Sequence, residues 1–316
     1  MDSALITGGA GFIGSNLALE LERRYPDIRA TIIDDFRSGD FINLVGFRGD
    51  LVALDLASTD LRARYRAGEF QVVFHLASIT DTTLADPRQM IYNNVEGFRR
   101  TAEFACQSGT PLVFASSAAV YGVCHSGKMS EDQPVRPANV YGFSKALVEN
   151  LAKRHAAASR DSRIVGLRYF NVYGPGEAHK GVASSMIYQL AGQIRAGKRP
   201  RIFKYGEQKR DFVYVKDVVE ATLLAADANH SGIFNVGSGR ATSFNEVVAL
   251  LNKALGTDHD PEYFDNPYSY YQPHTEADLT RVRGELGYAP RYSIDRGIAE
   301  YAKELMEADT RQPEQE

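Results

Sequence analysis

Ala4-Leu5-Ile6-Thr7-Gly8-Gly9-Ala10-Gly11-Phe12-Ile13-Gly14 decides the fold of this chain. Its first four residues form a run too short for a helix, which reads as a buried strand. Its end opens a stripe of Ile13, Leu17 and Leu21, spaced for one face of a helix. A glycine-rich turn stands between the two. Outward from it the alternation repeats. Residues 30–34, 51–55, 72–76, 112–116 and 164–169 read as further buried strands. Phe98, Ala102 and Ala105 mark another amphipathic helix. Alternation at this period predicts an α/β fold with right-handed βαβ units, a Rossmann-like doubly wound parallel sheet.

After Tyr169 the segments shorten and carry more Gly, Pro and Tyr, as in Asn171-Val172-Tyr173-Gly174-Pro175-Gly176. Helices are expected over 183–195 and 216–227. Ser243-Phe244-Asn245-Glu246 has capping-box spacing ahead of a helix over 247–255. We therefore expect a Rossmann domain over 1–171, joined by parts of 212–242. A smaller mixed α/β lobe for substrate covers 172–308, and a polar, disordered tail covers 309–316.

Composition narrows the function. The chain has 316 residues and a net charge of −4, with no Lys/Arg block, which argues against nucleic acid as partner. No apolar run reaches the ~18 residues that a membrane span needs. The chain enters its first strand almost at once, so no signal peptide is expected. Cys106 and Cys124 make no disulfide framework, so a cytoplasmic location is expected. The seven histidines lack metal-ligand spacing, and no metal is expected.

Gly9-Ala10-Gly11-Phe12-Ile13-Gly14 fits G-x-G-x-x-G, and the strand before it and helix after it supply the context that motif requires. Such glycines let the backbone approach a pyrophosphate, which the helix N-terminus then stabilises. Asp34 ends the next strand, where an acid would meet an adenosine ribose. In Asp34-Asp35-Phe36-Arg37 the two carboxylates favour NAD, whereas Arg37 would bind the 2′-phosphate of NADP. From these residues alone both remain open. Tyr141-Gly142-Phe143-Ser144-Lys145 places a phenol and an ammonium one turn apart on a helix face. An ammonium beside a phenol is expected to lower its pKa from ~10. Ser117 follows the strand over 112–116, where it could hydrogen-bond a reacting hydroxyl. Its bland alternative is a cap or turn serine.

With glycine loop, Ser117 and Tyr-x-x-x-Lys in this order, the chain resembles the extended short-chain dehydrogenase/reductase family over essentially its whole length. That resemblance implies Tyr141 as acid/base, Lys145 as anchor of the nicotinamide ribose and tuner of the tyrosine, and Ser117 as holder of the substrate oxygen. It implies cofactor contacts from Gly8, Gly11, Phe12, Ile13 and Gly14, and from Asp34, Asp35, Arg37, Asp55 and Leu56. Further contacts are implied at His75, Leu76, Ala77, Ser78, Asn94, Lys145, Val172 and Lys180. Dehydratases of the family carry an Asp-Glu pair where this chain has Ala118-Ala119, which leaves an epimerase or a reductase.

Arg168-Tyr169-Phe170-Asn171-Val172-Tyr173-Gly174-Pro175 is common to many nucleotide-sugar enzymes of the family. The segment Glu177-Ala178-His179-Lys180-Gly181 is not. Together with Ser78-Ile79-Thr80-Asp81-Thr82-Thr83, Lys209-Arg210-Asp211-Phe212-Val213-Tyr214-Val215 and Tyr271-Gln272-Pro273-His274-Thr275, it is similar to the ADP-L-glycero-D-manno-heptose 6-epimerases. This implies a homo-oligomer acting on ADP-heptose, with Lys180 as a second acid/base. It further implies substrate contacts from Ser78, Ser117, Asn171, Gln189, Phe203, Arg210 and Tyr271. Members of that group generally use NADP, which favours NADP through Arg37. Many of them carry asparagine at the Asp35 position and a lysine soon after, and that difference keeps NAD open. Gln189 and Val182 replace polar contacts of some members. The bland alternatives are a solvated Lys180, a surface ion pair between Arg210 and Asp211, and an aromatic packing cluster of Tyr268, Tyr270 and Tyr271.

Overall fold

Strand β1 (Ser3–Thr7) is buried along its whole length, as its apolar run requires, and lies inside the sheet. This computed structural model describes residues 1–81, 86–159, 162–267 and 271–311, with side chains through 307. From β1 the chain passes through α1 (Phe12–Arg24), β2 (Arg29–Asp34), β3 (Asp50–Ala53), β4 (Val72–His75) and α2 (Pro87–Gln107). It continues through β5 (Leu112–Ser117), α3 (Val140–Ala158), β6 (Ile164–Tyr169) and β7 (Asn171–Tyr173). Next come α4 (Met186–Arg195), β8 (Arg201–Phe203), β9 (Lys209–Tyr214), α5 (Val215–Ala226) and β10 (Gly232–Val236). The last elements are β11 (Ala241–Ser243), α6 (Phe244–Leu255), β12 (Glu262–Phe264), α7 (Thr280–Leu286) and α8 (Ile294–Arg311).

Seven strands form one parallel sheet in the order β10-β6-β5-β4-β1-β2-β3. Alternate side chains of a strand face opposite ways. Ala4, Ile6 and Ile32 accordingly pack with Leu17 and Leu21 of α1 and Val218 of α5. Leu5 and Ile33 pack toward Phe98 of α2 and Leu151 of α3. This is the expected doubly wound sheet. Its order reverses between β1 and β4, and a crevice opens where their C-terminal ends diverge. The glycine turn lies there. Gly8 adopts φ +72, and a Cβ on it would meet the Ala77 nitrogen at 2.5 Å. A Cβ on Gly14 would meet the Gly8 carbonyl oxygen at 2.1 Å, so only glycine lets α1 start this close to β1.

The smaller lobe joins a three-stranded sheet, β11-β9-β7, and a β12-β8 pair to α4, α6 and α8. Its core holds Tyr173, Ile187, Phe212, Val247 and Ile298. Helix α4 starts later than expected, because the Ser185 hydroxyl accepts from the Tyr188 N–H and caps it. The residues before it form a separate 3₁₀ turn, Ala178–Ala183. Helix α8 runs to Arg311, past Asp309 where a disordered tail was expected, and residues 312–316 lie outside the described ones. Among the described residues no helix is long and apolar enough to cross a membrane.

Asp211 fastens this lobe. It is wholly buried, and its Oδ1 accepts from the Ser238 N–H and hydroxyl, both at 2.7 Å. Its Oδ2 accepts from the Gly239 and Ala277 N–H groups, both at 2.9 Å. One carboxylate thus holds three chain segments. In Asp211→Asn one acceptor oxygen becomes a donor facing buried donors, at a cost of about 2–4 kcal/mol. The expected outcome is a lower urea midpoint at unchanged slope. An unchanged midpoint would show that apolar packing alone fixes these turns.

Candidate active site

Burial decides the chemistry at the C-terminal end of β5. Asn139 caps α3 by accepting from the Gly142 N–H at 2.8 Å, which starts the helix so that Tyr141 lies in its first turn. Lys145, one turn later, is 3% exposed, and its Nζ donates to the Ala115 carbonyl at 2.8 Å. It lies 5.8 Å from the centre of the Tyr141 ring. Loss of water pushes the Lys145 amine down to about 7, against the charge of Glu149. The Tyr141 phenol is pushed up to about 12 by burial, against the Ser117 hydrogen bond. The expected lowering of the phenol is therefore corrected. The ammonium is spent on a carbonyl, and desolvation of the phenolate wins. Ser117 is a turn serine, its hydroxyl accepting from the Ala119 N–H at 3.2 Å, and it also bonds Tyr141, which places it beside the phenol in the cleft.

These side chains line a cleft of about 620 Å³ together with Gly8, Gly11, Phe12, Ile13, Gly14, Leu76, Ser78, Val172 and Lys180. Lys180 arrives from the other lobe on the turn Ala178–Ala183. Its Nζ sits 5.7 Å from the centre of the Phe12 ring at the head of α1. Burial lowers its amine, with Glu177 opposing. Glu177 is itself fully buried and accepts from Gly174 N–H (3.1 Å) and from the N–H and hydroxyl of Ser185, which pins both ends of the Lys180 turn. Lys180 is half-buried in the cleft wall, a setting between the solvated lysine of the bland alternative and a fully buried one.

A narrower continuation of the cleft is lined by Asp34, Asp35, Arg37, Asp55, Leu56, Ala77 and Asn94, the residues expected to border an adenosine. Asp34 first serves the loop, accepting from the Ala10 and Phe36 N–H groups, both at 2.9 Å. Arg37 lies 3.2 Å from Asp35 and 3.5 Å from Asp55, and donates to Asn93 at 2.6 Å. The Asn94 amide bonds the backbone of Ile79 and the Ser144 hydroxyl, which ties the Ser78 loop to α3. His75 is buried against Thr7 at 2.9 Å and is not in the wall, with burial pushing its pKa down to about 3.

The other expected substrate residues lie outside the cleft's wall. The Asn171 amide donates to the Asp211 carbonyl and the Thr275 hydroxyl, both at 3.2 Å. Gln189 donates to the Val182 and Ser184 carbonyls, so it braces the Lys180 turn. The Arg210 guanidinium lies 5.1 Å from the Tyr271 ring centre, and Phe203 meets that ring edge-on at 5.4 Å. Asp211 faces inward, so the alternative of an Arg210–Asp211 surface pair is not formed. Thr82, Thr83, Tyr268 and Tyr270 lie outside the described residues. Sequence reasoning overlooked Asn43 and Glu149, and it assigned no role to His179 or Glu177, although both stood in the quoted Lys180 segment.

Residues 4–237 match the NAD dependent epimerase/dehydratase family, and the chain belongs to that family. Among solved structures it is similar to ADP-L-glycero-D-manno-heptose-6-epimerase from Helicobacter pylori, with 37% identity, a TM-score of 0.89 and 96% of each chain covered. It is also similar to UDP-glucose 4-epimerase from Thermotoga maritima with UDP-glucose, at 27% identity and a TM-score of 0.89, covering 97% of this chain and 99% of that one. UDP-glucuronic acid 4-epimerase from Bacillus cereus, in complex with UDP-glucuronic acid and NAD, matches at 27% identity and a TM-score of 0.83, covering 96% and 99%. The resemblance to epimerases of the extended short-chain family is thereby borne out.

The buried amine makes a stability test. In the unfolded chain Lys145 titrates near ~10.4, and in the fold at about 7. Below pH 7 both states hold the proton and the fold bears the full desolvation cost. Above it the cost shrinks until the unfolded amine also titrates. Lys145→Met should therefore raise the melting temperature, by more at pH 6 than at pH 9. A gain that does not vary with pH would show that Lys145 is not desolvated.

Proposed function

We propose that this protein is an epimerase that inverts C6 of ADP-D-glycero-D-manno-heptose, giving ADP-L-glycero-D-manno-heptose through a transient 6-ketone, with NADP as cofactor. One observation carries this reading. Lys180 and Tyr141, from different lobes, line the same cleft, with burial holding the phenol protonated and pushing the amine toward neutrality. A pair of groups whose environments drive their pKa values apart is what acid and base roles require. The similarity to the Helicobacter pylori 6-epimerase supports the choice of sugar.

The cradle fits a dinucleotide, because Gly8, Gly11 and Gly14 line the cleft at the head of α1, where helix N–H groups would meet a pyrophosphate. When bound, the nicotinamide supplies the hydride acceptor and returns the same hydride. The chain's own residues handle the proton. An inverted carbinol points its hydroxyl in two directions, and a single side chain cannot reach both. Tyr141 serves one direction and Lys180 the other, each directly or through one water. Ser117 orients the oxygen. Ala118 and Ala119 leave the turn after β5 without an acid–base pair for eliminating water. Arg37 reads the 2′-phosphate, in exchange for Asp35 and Asp55.

A nucleotide-sugar 4-epimerase is the second reading, favoured by the Thermotoga maritima relative. It would use Ser117, Tyr141 and Lys145 and leave Lys180 idle. Proton NMR of the protein with ADP-D-glycero-D-manno-heptose and no added cofactor should show the L-glycero epimer accumulating. Lys180→Ala should lower that rate by about a hundredfold or more. An unchanged heptose with inversion of UDP-glucose would select the second reading.

The cofactor is tested by calorimetry. Arg37→Ala should weaken NADP about tenfold or more while leaving NAD within about threefold. Equal losses for both, or tighter NAD binding by the unmodified protein, would make NAD the cofactor.

A further inference from the structure

Asn43 and His179 are 136 residues apart in sequence, yet Asn43 Nδ2 lies 2.9 Å from His179 Nδ1. The same Nδ2 lies 3.1 Å from the Ala10 carbonyl oxygen. A carbonyl only accepts, so this second contact fixes which amide atom carries the protons. One proton goes to Ala10 and the other to the ring, so His179 Nδ1 is an acceptor. The imidazole is then neutral with its proton on Nε2. A backbone hydrogen bond with Gly176 holds the ring as well.

Both ends of this link matter. Ala10 is in the glycine turn, and its N–H is held by Asp34 at 2.9 Å. His179 immediately precedes Lys180 and shares the cleft wall with it. The turn Ala178–Ala183 contains no buried residue, so apolar packing does not seat it. Polar bonds hold this region against the first lobe, and just before the turn Asn16 Nδ2 donates to the Pro175 carbonyl at 2.9 Å.

We propose that Asn43 and His179 form a clasp that positions Lys180 in the cleft and makes that position depend on the glycine turn. The proposal rests on the reading of Lys180 as the second base. Asn43 is a positioning residue here, acting through His179 on the amine beside it. Ordering of the glycine turn around a dinucleotide then also orders the turn that carries the second base. This explains why a residue outside the cleft wall is held to the cofactor loop by one proton and to the Lys180 turn by the other.

The test uses Asn43→Ala, His179→Ala, the double variant and His179→Gln, whose amide oxygen can accept the same proton. Epimerisation kcat and KM, NADP affinity by calorimetry and the thermal midpoint are read for each. A misplacement of about 1 Å costs up to a hundredfold in rate. Each single variant should therefore lose about ten- to a hundredfold in kcat, with KM and NADP affinity within about twofold. The double variant should be no worse than either single one, because the two residues act through one bond. His179→Gln should recover kcat to within about threefold. Single variants at the normal kcat, losses that multiply in the double variant, or losses that follow NADP affinity would overturn the clasp. His179→Ala, on a turn with no buried residue, keeps the test decisive where Asn43→Ala fails to fold. Lys180→Ala is measured alongside. If it is inactive while the clasp variants are normal, the clasp alone falls. If it is as active as the unmodified protein, the reading beneath the clasp falls.

Discussion

The bond network around Glu149 is the constraint on which the site depends. This carboxylate is 1% exposed, and its Oε1 accepts from the Ser116 hydroxyl at 2.6 Å and from Arg168 Nε at 2.8 Å. Its Oε2 accepts from Arg168 Nη2 at 2.7 Å. Glu149 stands one turn after Lys145 on α3, Ser116 adjoins Ser117 on β5, and Arg168 lies on β6. Three elements that carry or flank Ser117, Tyr141 and Lys145 are thus locked to one side chain. Removing either partner of a buried ion pair leaves an uncompensated charge, which costs about 3–5 kcal/mol. The network extends onward, with the Arg168 guanidinium 4.7 Å from the Tyr121 ring centre and the Tyr121 hydroxyl donating to Asn235 at 2.7 Å. Glu149 also opposes the fall of the Lys145 pKa. Geometry and protonation at this site therefore share one cause.

Glu177 and Asp211 repeat the device in the smaller lobe. A carboxylate can accept up to about four hydrogen bonds, so one buried acid can fix several backbone segments that lack regular structure. Glu177 closes the turn between Gly174 and Ser185, and Asp211 joins β9 to the chain at Ser238, Gly239 and Ala277. Loops at the C-terminal ends of strands cannot satisfy their own N–H groups through a sheet. Buried acids supply the missing acceptors. The cost of desolvating them is offset by bonds to groups that would otherwise be orphaned.

Much of the architecture was legible because it is local. A four-residue apolar run, a glycine turn and a 3.6-residue stripe each report on neighbouring residues, and β1, α1 and the parallel sheet follow from them. The N-cap at Ser243 was legible for the same reason, and Ser243 accepts from the Glu246 N–H at 3.2 Å, while the Glu246 carboxylate pairs with Arg240 instead of closing the box. The helix over 183–195 was misread at its start because apolar spacing does not reveal that Ser185 caps and Glu177 pins. The phenol's pKa was misread for a deeper reason. The i, i+4 spacing places Lys145 beside Tyr141, but the sign of the shift depends on how much water the fold removes and on the Ala115 carbonyl that takes the ammonium. Arg210 and Asp211 are adjacent in sequence and point to different surroundings, since alternate residues of β9 face opposite ways. The Asn43–His179 contact had no sequence signal at all.

Tyr141 and Lys180, the two groups proposed for proton transfer, are held with unequal stiffness, and the proposed chemistry accounts for it. Tyr141 belongs to a 19-residue helix whose far face packs Val148, Leu151 and Ala152 into the core beside the sheet. Moving it would break apolar contacts worth about 25 cal/mol for each Å² uncovered. Lys180 rides on a turn with no buried residue, held by a few hydrogen bonds worth about 1 kcal/mol each. A sugar that must present first one face and then the other of a carbonyl carbon needs room to turn between the two transfers. With both groups on helices, a cleft tight enough to exclude water would also hinder that rotation. With both on loosely tethered turns, neither hydroxyl position would be met within hydrogen-bond reach. One rigid wall and one wall fastened by polar bonds satisfies both demands. It also places the adjustable wall against the glycine turn, and under the proposed clasp the position of Lys180 would follow occupancy of the dinucleotide cradle.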